Sequence, residues 1–345
     1  MFDYDAILNS LLNPNLNKQQ LAKLIGTQST QFTSERTKLK NNYSDEDLIS
    51  AYTSFYFPTN ALKLEFLTQN LSDEQISAIS KTHILDIGTG PGTYVFSASE
   101  LFPDALSFTG IDESKLMLKQ ANKLNDEYFK NSKIGFSESL PLVDDAPRTI
   151  IFGNSINEMG MPAAFKIIKR YKPKFIICIE PGTKEVFKDL LALRKKLLLI
   201  DYKIQYPCMG QGSCPLQNMD DWCHQSIKTT LDYELESLSQ VAKLDRKVMP
   251  ATIHFYSFDE EATSTESSDK ARLVRLKRNV KHAYLWEVCT SENKVITLEV
   301  PKKLFKKKML KQLDGISSGL EVSYTVAKEL ENDTFRVKDI EIEID

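Results

Sequence analysis

At 345 residues the chain exceeds one ordinary core, since domains run to about 100–200 residues, so two or three units are expected. Its charged (26%) and hydrophobic (41%) fractions are those of a globular protein, and no apolar run nears the roughly 20 residues of a helical membrane span, which excludes one. The net charge of −3 hides a polarity: between Lys270 and Lys311 thirteen Lys and Arg face three acids, a local +10 that leaves −13 elsewhere and points to nucleic acid.

The first residues, Met1 to Asp5, are acidic, and no arginine occurs before Arg36. This resembles neither a secretory signal nor a mitochondrial presequence, so a bacterial-type cytoplasmic location is expected. Residues 1–80 predict an N-terminal helical segment with amphipathic openings at Tyr4–Leu8, Leu21–Ile25 and Ser44–Ile49. Ser44 is the expected N-cap of the third, ahead of Asp45, Glu46 and Asp47. Leu62, Phe66 and Leu67 continue at helical spacing, and this segment is expected to pack on the domain that follows.

Residues 81–258 alternate strand and helix, as a doubly wound α/β sheet requires. The stretch His83–Gly92 is a short apolar run ending in Asp86, then glycine at Gly88, Gly90 and Gly92, where a buried parallel strand hands over to a helix N-terminus. A dinucleotide fingerprint spaces its glycines G-x-G-x-x-G to seat a pyrophosphate. Here the pattern is D-x-G-x-G-x-G, which resembles motif I of class I S-adenosylmethionine-dependent methyltransferases. Their cofactor lacks phosphate and carries a cationic amino-acid end, which suits an acid beside bare backbone. A second strand, Ser107–Ile111, ends in Asp112, placed to accept from both ribose hydroxyls. A third, Lys133–Phe136, leads to Ser137 and Glu138 at the end expected to face adenine, and a fourth, Thr149–Gly153, is followed by Asn154. The fifth, Lys174–Ile179, opens onto Glu180–Thr183 and a long helix through Lys195. No N-P-P-Y-type tetrapeptide follows strand four, where the chain reads Asn154-Ser155-Ile156-Asn157, and Cys178 inside an apolar run reads as a core cysteine. No catalytic base is identified, and enzymatic activity stays open.

An insertion at 206–226 concentrates Cys208, Cys214 and Cys223 in a loop punctuated by Pro and Gly. A hydrophobic core does not use cysteine this way. Soft thiolates select zinc, copper(I) or iron–sulfur clusters in a reducing compartment, and the missing C-x2-C knuckles tilt the choice from zinc towards a cluster. A fourth ligand is needed, with His224 and Cys289 as the candidates.

The ordered set Ala51-Tyr52, Phe57-Pro58-Thr59, Leu85–Gly92, Ile179–Thr183, Pro207-Cys208, Cys214-Pro215-Leu216, Asp221-Trp222-Cys223-His224, Arg272–Arg275 and Cys289 resembles the family of methyltransferase-like small-ribosomal-subunit proteins, with mitochondrial and bacterial members. The resemblance covers roughly residues 45 to 300, and Trp222-Cys223-His224 is its most specific part. It implies a [4Fe–4S] cluster on Cys208, Cys214, Cys223 and Cys289, association with the small ribosomal subunit or its rRNA during assembly, and a methyltransferase fold.

Residues 270–345 read as a basic, β-rich module that contributes Cys289. Thr252–Phe258 predicts a late strand of the main sheet, Glu260–Asp269 an exposed Ser/Thr-rich loop, and Tyr284–Val288 and Val295–Val300 paired strands. Between Lys302 and Lys311 six lysines flank a Phe305, Met309, Leu313 stripe, which predicts a helix with a cationic face. Leu320–Val326 and Thr334–Ile344 suggest a closing hairpin, and together these strands predict a small RNA-binding barrel. Three functions follow as expectations: an S-adenosylmethionine-binding iron–sulfur protein of ribosome assembly, an active methyltransferase on rRNA or protein, or a zinc-stabilised small-molecule methyltransferase.

Overall fold

The computed structural model describes residues 2–33, 45–258 and 270–342. The Glu260–Asp269 loop and the Ser44 cap lie outside the described residues. In chain order the elements are α1 (Tyr4–Asn9), α2 (Lys18–Thr33), α3 (Glu46–Thr68), α4 (Asp73–Ile79), β1 (His83–Ile87), α5 (Thr93–Leu101), β2 (Ser107–Ile111), α6 (Lys115–Leu124), β3 (Ile134–Ser137), β4 (Arg148–Gly153), α7 (Ile156–Met159) and α8 (Met161–Tyr171). They continue with β5 (Phe175–Pro181), α9 (Lys184–Leu198), β6 (Tyr202–Tyr206), β7 (Gln225–Lys228), α10 (Tyr233–Val241), β8 (Val248–Phe258), β9 (Lys270–Asn279), β10 (Ala283–Thr290), β11 (Val295–Pro301), α11 (Lys307–Asp314), β12 (Glu321–Glu329) and β13 (Thr334–Ile342). The chain forms two compact units, one of Met1–Glu158, Lys166–Pro173 and Thr229–Val248, the other of Met159–Phe165, Lys174–Lys228 and Met249–Asp345.

In the first unit four parallel strands run in the order β3-β2-β1-β4, with Asp86 of β1 opposite Gly110 of β2 and Ile151 of β4. Ile84, Leu85 and Ile87 of β1 are buried beside Asp86, the continuous apolar signature of a strand covered on both faces. α3 is buried on nearly every side, from Ile49 to Thr68, and packs against α2 and α5, which explains its weak amphipathicity: a helix apolar all round belongs inside. Its cap is Asp45, whose carboxylate accepts from Asp47 N and Leu48 N. Gln120 of α6 ties down the N-terminal segment, accepting from Leu12 N and donating to Ser10 O, both at 2.8 Å.

In the second unit β8 pairs antiparallel with both β5 and β6, and β7 also pairs with β8. The late strand expected at Thr252–Phe258 is therefore present and is longer, with Cys178 opposite His254. The molecule is thus mixed α/β, a class I methyltransferase-type arrangement with a separate β-rich C-terminal sheet.

That sheet is a closed barrel in the order β10-β11-β13-β12-β9. β11 and β13 are parallel, the other pairs antiparallel, and α11 lies between β11 and β12 in sequence. This is the connectivity of an oligonucleotide-binding Greek-key barrel. Trp286, Tyr284, Leu298, Val300, Val322 and Val337 fill it. The expected cationic helix begins later than its charge pattern suggests: Lys302–Leu304 form a 3₁₀ turn, and Phe305 precedes α11. Phe305, Met309, Leu310 and Leu313 nevertheless all pack on the barrel core. No helix of the described residues is long and apolar enough to cross a membrane.

Candidate functional site

In the first unit the site begins at the turn after β1. Gly88, Gly90 and Gly92 have φ of +75°, +56° and +89°, a left-handed region that side chains disfavour. A Cβ on Gly88 would lie 2.6 Å from the Ser155 Cβ, and one on Gly92 would meet the Phe96 ring at 2.5 Å, whereas at Gly90 the space is open. Gly88 N and Thr89 N both donate to Ile111 O, at 2.8 and 2.9 Å, which locks the turn to the end of β2. The backbone is therefore tight on two sides and bare on the third.

Asp86 is fully buried beneath this turn. Its Oδ2 accepts from Thr89 Oγ1 at 2.6 Å, while Oδ1 has no hydrogen-bond partner among the described residues. Burial, opposed by the Thr89 hydroxyl and aided by the Asp112 charge, pushes its carboxyl up to about 7. Asp112 accepts from Gly90 N and Ser114 N, both at 2.8 Å, and burial raises its pKa as well. Two carboxyls and one bare glycine edge thus face one place. Asn154 follows β4 with φ of +56°, a strained conformation for a non-glycine residue, and its neighbour Ser155 abuts Gly88. Glu138 stands further out, more than half exposed and 3.8 Å from Lys115 Nζ, just after Ser137, whose carbonyl accepts from Asp112 N at 3.3 Å. Asp86, the three glycines, Asp112 and Asn154 converge; Glu138 is at the rim.

Three residues at this end of the sheet were missed by the sequence reading. Thr89 holds Asp86. Tyr52 of α3 has its hydroxyl pKa raised by burial, then by Glu158, Tyr56 and Asp112, so the helical segment comes near the end of β2 that carries Asp112. Arg246 lies over the Tyr56 ring at 5.1 Å and opposes that rise. Their signal is absent from local sequence, because Tyr52 and Arg246 are 194 positions apart.

In the second unit the cysteine loop is tied at several points. Arg194 of α9 donates to Gly210 O at 3.1 Å and Gly212 O at 2.6 Å, and Gln211 exchanges two hydrogen bonds with Ile204, at 2.9 and 2.7 Å. Gly210 and Gly212 leave no room for a Cβ against Asn293 in the β10–β11 turn. Arg272 Nε donates to Pro207 O at 3.2 Å, its guanidinium 5.0 Å above the Tyr206 ring. Arg275 grips Asp221 with two nitrogens and also pairs with Glu287 of β10 at 2.7 Å. Trp222 Nε1 donates to Gly182 O at 3.1 Å.

These ties hold the loop that carries Cys208, Cys214 and Cys223 against the β10–β11 turn that follows Cys289. None is in a disulfide. Burial raises the Cys223 thiol well above its ordinary pKa, with Cys208, Cys289 and Cys214 adding to the rise. Cys289 is pushed up to about 12 by burial and then by Cys208 and Cys214, against the pull of Arg194 and Arg272. Cys178 is apart, buried in β5. Among the described residues, no group of three or more His, Cys, Asp or Glu side chains is placed to hold a metal ion. As a donor set, four reduced thiols beside two buried guanidinium groups fit a thiolate-bound, anionic group.

Solved structures similar to this chain include magnesium protoporphyrin IX methyltransferase of Synechocystis PCC 6803 with bound S-adenosylmethionine, 12% identical over 72% of this chain and 100% of that one, TM-score 0.37. TrmK of M. capricolum with S-adenosyl-homocysteine is 13% identical over 58% of this chain and 74% of that one, TM-score 0.32. A methyltransferase of Thiobacillus denitrificans with the same product is 13% identical over 55% and 93%, TM-score 0.31. No curated protein sequence matches. The family described as mitochondrial small ribosomal subunit Rsm22 matches residues 50–331.

Proposed function

The chain belongs to the mitochondrial small ribosomal subunit Rsm22 family, and from that premise we propose that it associates with the small ribosomal subunit or its rRNA and supports assembly or translation. The observation that carries this reading is the extent of the match, residues 50–331, which takes in the glycine turn, all four clustered cysteines and most of the barrel.

Within that role the protein binds S-adenosylmethionine in its first unit. Asp86 and the bare backbone of Gly88, Gly90 and Gly92 receive the amino-acid end, Asp112 the ribose hydroxyls, and Asn154 and Glu138 flank the base. The unpartnered Asp86 Oδ1 and the open side of Gly90 support the fit. When bound, the sulfonium supplies an electrophilic methyl group. Asp86 would give up its proton on meeting the cofactor's ammonium, and Thr89 would keep the carboxylate oriented.

In the second unit Cys208, Cys214, Cys223 and Cys289 hold a [4Fe–4S] cluster, with zinc as the alternative metal. The cluster supplies a rigid anionic cross-link. Arg194 and Arg272 offset its charge and fix the loop that presents Cys208 and Cys214.

A second reading, methyl transfer to rRNA or protein, is favoured by the intact glycine turn. It requires an acceptor site, for which the Tyr52 hydroxyl, acted on by Glu158, Asp112 and Arg246, is the candidate group.

Sucrose-gradient sedimentation of a cell extract at low salt tests the association. The protein is expected in the small-subunit or precursor fractions and not at the top of the gradient. Recovery only at the top contradicts the reading.

A further inference from the structure

We propose that one pole of the barrel clamps the sugar-phosphate backbone of base-paired RNA and does so without stacking on bases. This rests on the RNA association proposed above and names the surface and the mode of recognition.

The basic block divides when folded. Lys270 and Arg272 pair with Glu321, Arg275 and Lys277 with Glu287, and Lys294 with Glu292. Most of these lie towards the start of β9, where Arg272 is opposite Cys289. The cations at the other end, among them Arg278, Lys281, Lys303, Lys307, Lys308 and Lys311, form no ion pair among the described residues and are exposed.

Those cations share one pole. Lys302 N donates to His282 O at 2.9 Å, joining the β11–α11 connection to the β9–β10 hairpin tip. Tyr284 OH donates to Leu310 O at 3.2 Å, and the α11 end is held by Asn279 Nδ2 donating to Asp314 Oδ1 at 2.9 Å. Asp314, the acid of α11, also meets Tyr284 OH at 2.9 Å, so it is engaged with the barrel and not interleaved with the lysines. Lys308 and Lys311 are three residues apart on the face turned away from Leu310 and Leu313, which pack on the core, and Lys307 lies at its edge; all three lysines are exposed.

The same packing decides what such a surface takes. With the apolar side of α11 committed to the barrel, Val280 at the hairpin tip is the large apolar side chain left exposed at this pole among the described residues, too little to anchor in a bilayer. Single-stranded nucleic acid is gripped by exposed aromatic rings on which bases stack. Here Trp286, Tyr284 and Tyr324 are buried, and Phe305 and Phe335 pack on the core. His282 is the exposed ring at the pole. Dense, unpaired lysine charge without a stacking platform matches the regular phosphate array of a duplex, whose contacts carry no sequence information. Ala283 and Cys289 mark opposite ends of β10, about 20 Å apart at strand rise, so the clamp is separate from the cysteine site.

The test is binding of the full chain to a hairpin RNA, to an unpaired RNA of equal length and to vesicles containing anionic lipid, each over a salt series. The hairpin is expected to bind at least as tightly as the unpaired strand, with log affinity falling linearly in log salt. Lys303→Glu, Lys307→Glu and Lys311→Glu combined are expected to lower hairpin affinity about 30-fold or more and to flatten the salt slope by about three. Lys294→Glu and His282→Ala are expected to change neither, and unchanged thermal melting confirms folding. Wild-type binding that survives the triple reversal overturns the clamp and leaves the ribosomal reading standing. So does a preference for the unpaired strand that His282→Ala abolishes, or equal binding to vesicles. A protein that binds neither RNA at low salt overturns the clamp, while its sedimentation with small subunits would still separate that failure from failure of the ribosomal reading. If the triple variant misfolds, Lys303→Glu and Lys307→Glu alone, each expected to flatten the slope by about one, decide the question.

Discussion

Purified without oxygen, the protein is expected to carry about four iron and four sulfide per chain with broad absorption near roughly 400 nm, and Ser in place of Cys208, Cys214, Cys223 or Cys289 is expected to remove both. The physical reason is the state of the thiols when nothing binds them. Burial holds Cys208, Cys214, Cys223 and Cys289 above their ordinary pKa, with neighbouring thiols adding to the rise at Cys208, Cys223 and Cys289, so the unliganded site keeps four neutral sulfurs beside the buried Arg194 and Arg272. A bound cationic iron core reverses that balance, because the thiolate becomes the favoured form. Binding energy at such a site is folding energy, and the 208–223 loop and β10 are far apart in sequence until the barrel forms. Loss of one ligand is therefore expected to lower the Tm by roughly 10 °C, on the order of 3 kcal/mol or more. Cys178→Ser, in β5, leaves iron content and absorption unchanged. One zinc per chain and a colourless protein would reassign the metal, and iron retained by all four single variants would remove the site.

Asp86→Asn is expected to weaken S-adenosylmethionine binding about 100-fold while making the unliganded protein more stable at pH 8. Both effects follow from the carboxyl that burial pushes up to about 7. In the folded state its neutral form is favoured, so that contribution is present below the ordinary carboxyl value of 3.8 and is lost as pH rises towards 7. At pH 8 the buried charge costs on the order of 2–4 kcal/mol, which the amide avoids; at pH 4 the two proteins should melt alike. Cofactor binding runs the other way. A cationic ligand beside Asp86 needs the carboxylate, so wild-type affinity falls about tenfold per pH unit below 7 and declines again above about 8, where the ligand's α-amino group loses its proton. Calorimetric titration from pH 5.5 to 8.5 reads this directly. A pH-independent affinity, or full affinity in the amide variant, would place the cofactor's charge elsewhere.

The parts of the fold that were legible in sequence are those governed by local chemistry. β1, β2 and β4 are short apolar runs ended by Asp86-x-Gly88, Asp112 and Asn154, and the structure returns them within one residue of where the pattern puts them. β9 was not legible as a strand, because Lys270, Arg272, Arg275, Lys277 and Arg278 masked its alternation; Arg272 and Arg275 are drawn into ion pairs and backbone contacts. β6 was missed although Tyr202, Ile204 and Tyr206 alternate inward, because a five-residue run beside a long helix carries little signal. The α3 cap is Asp45 rather than the expected Ser44, because aspartate is as good an N-cap as serine and the local pattern does not choose between adjacent candidates. Arg194 sits on an amphipathic helix where a cation is normally solvated, and only the return of the Gly210–Gly212 carbonyls makes it a buried tie. Convergence of Cys289 with a loop some 65 positions earlier depends on barrel closure, which no periodicity encodes; the family resemblance supplied it.

Cross-linking in living cells followed by sequencing of the bound RNA tests the central claim most directly. Small-subunit rRNA should dominate the recovered fragments, in base-paired segments. Recovery of no RNA above an untagged control, or of RNA without small-subunit enrichment, would contradict it.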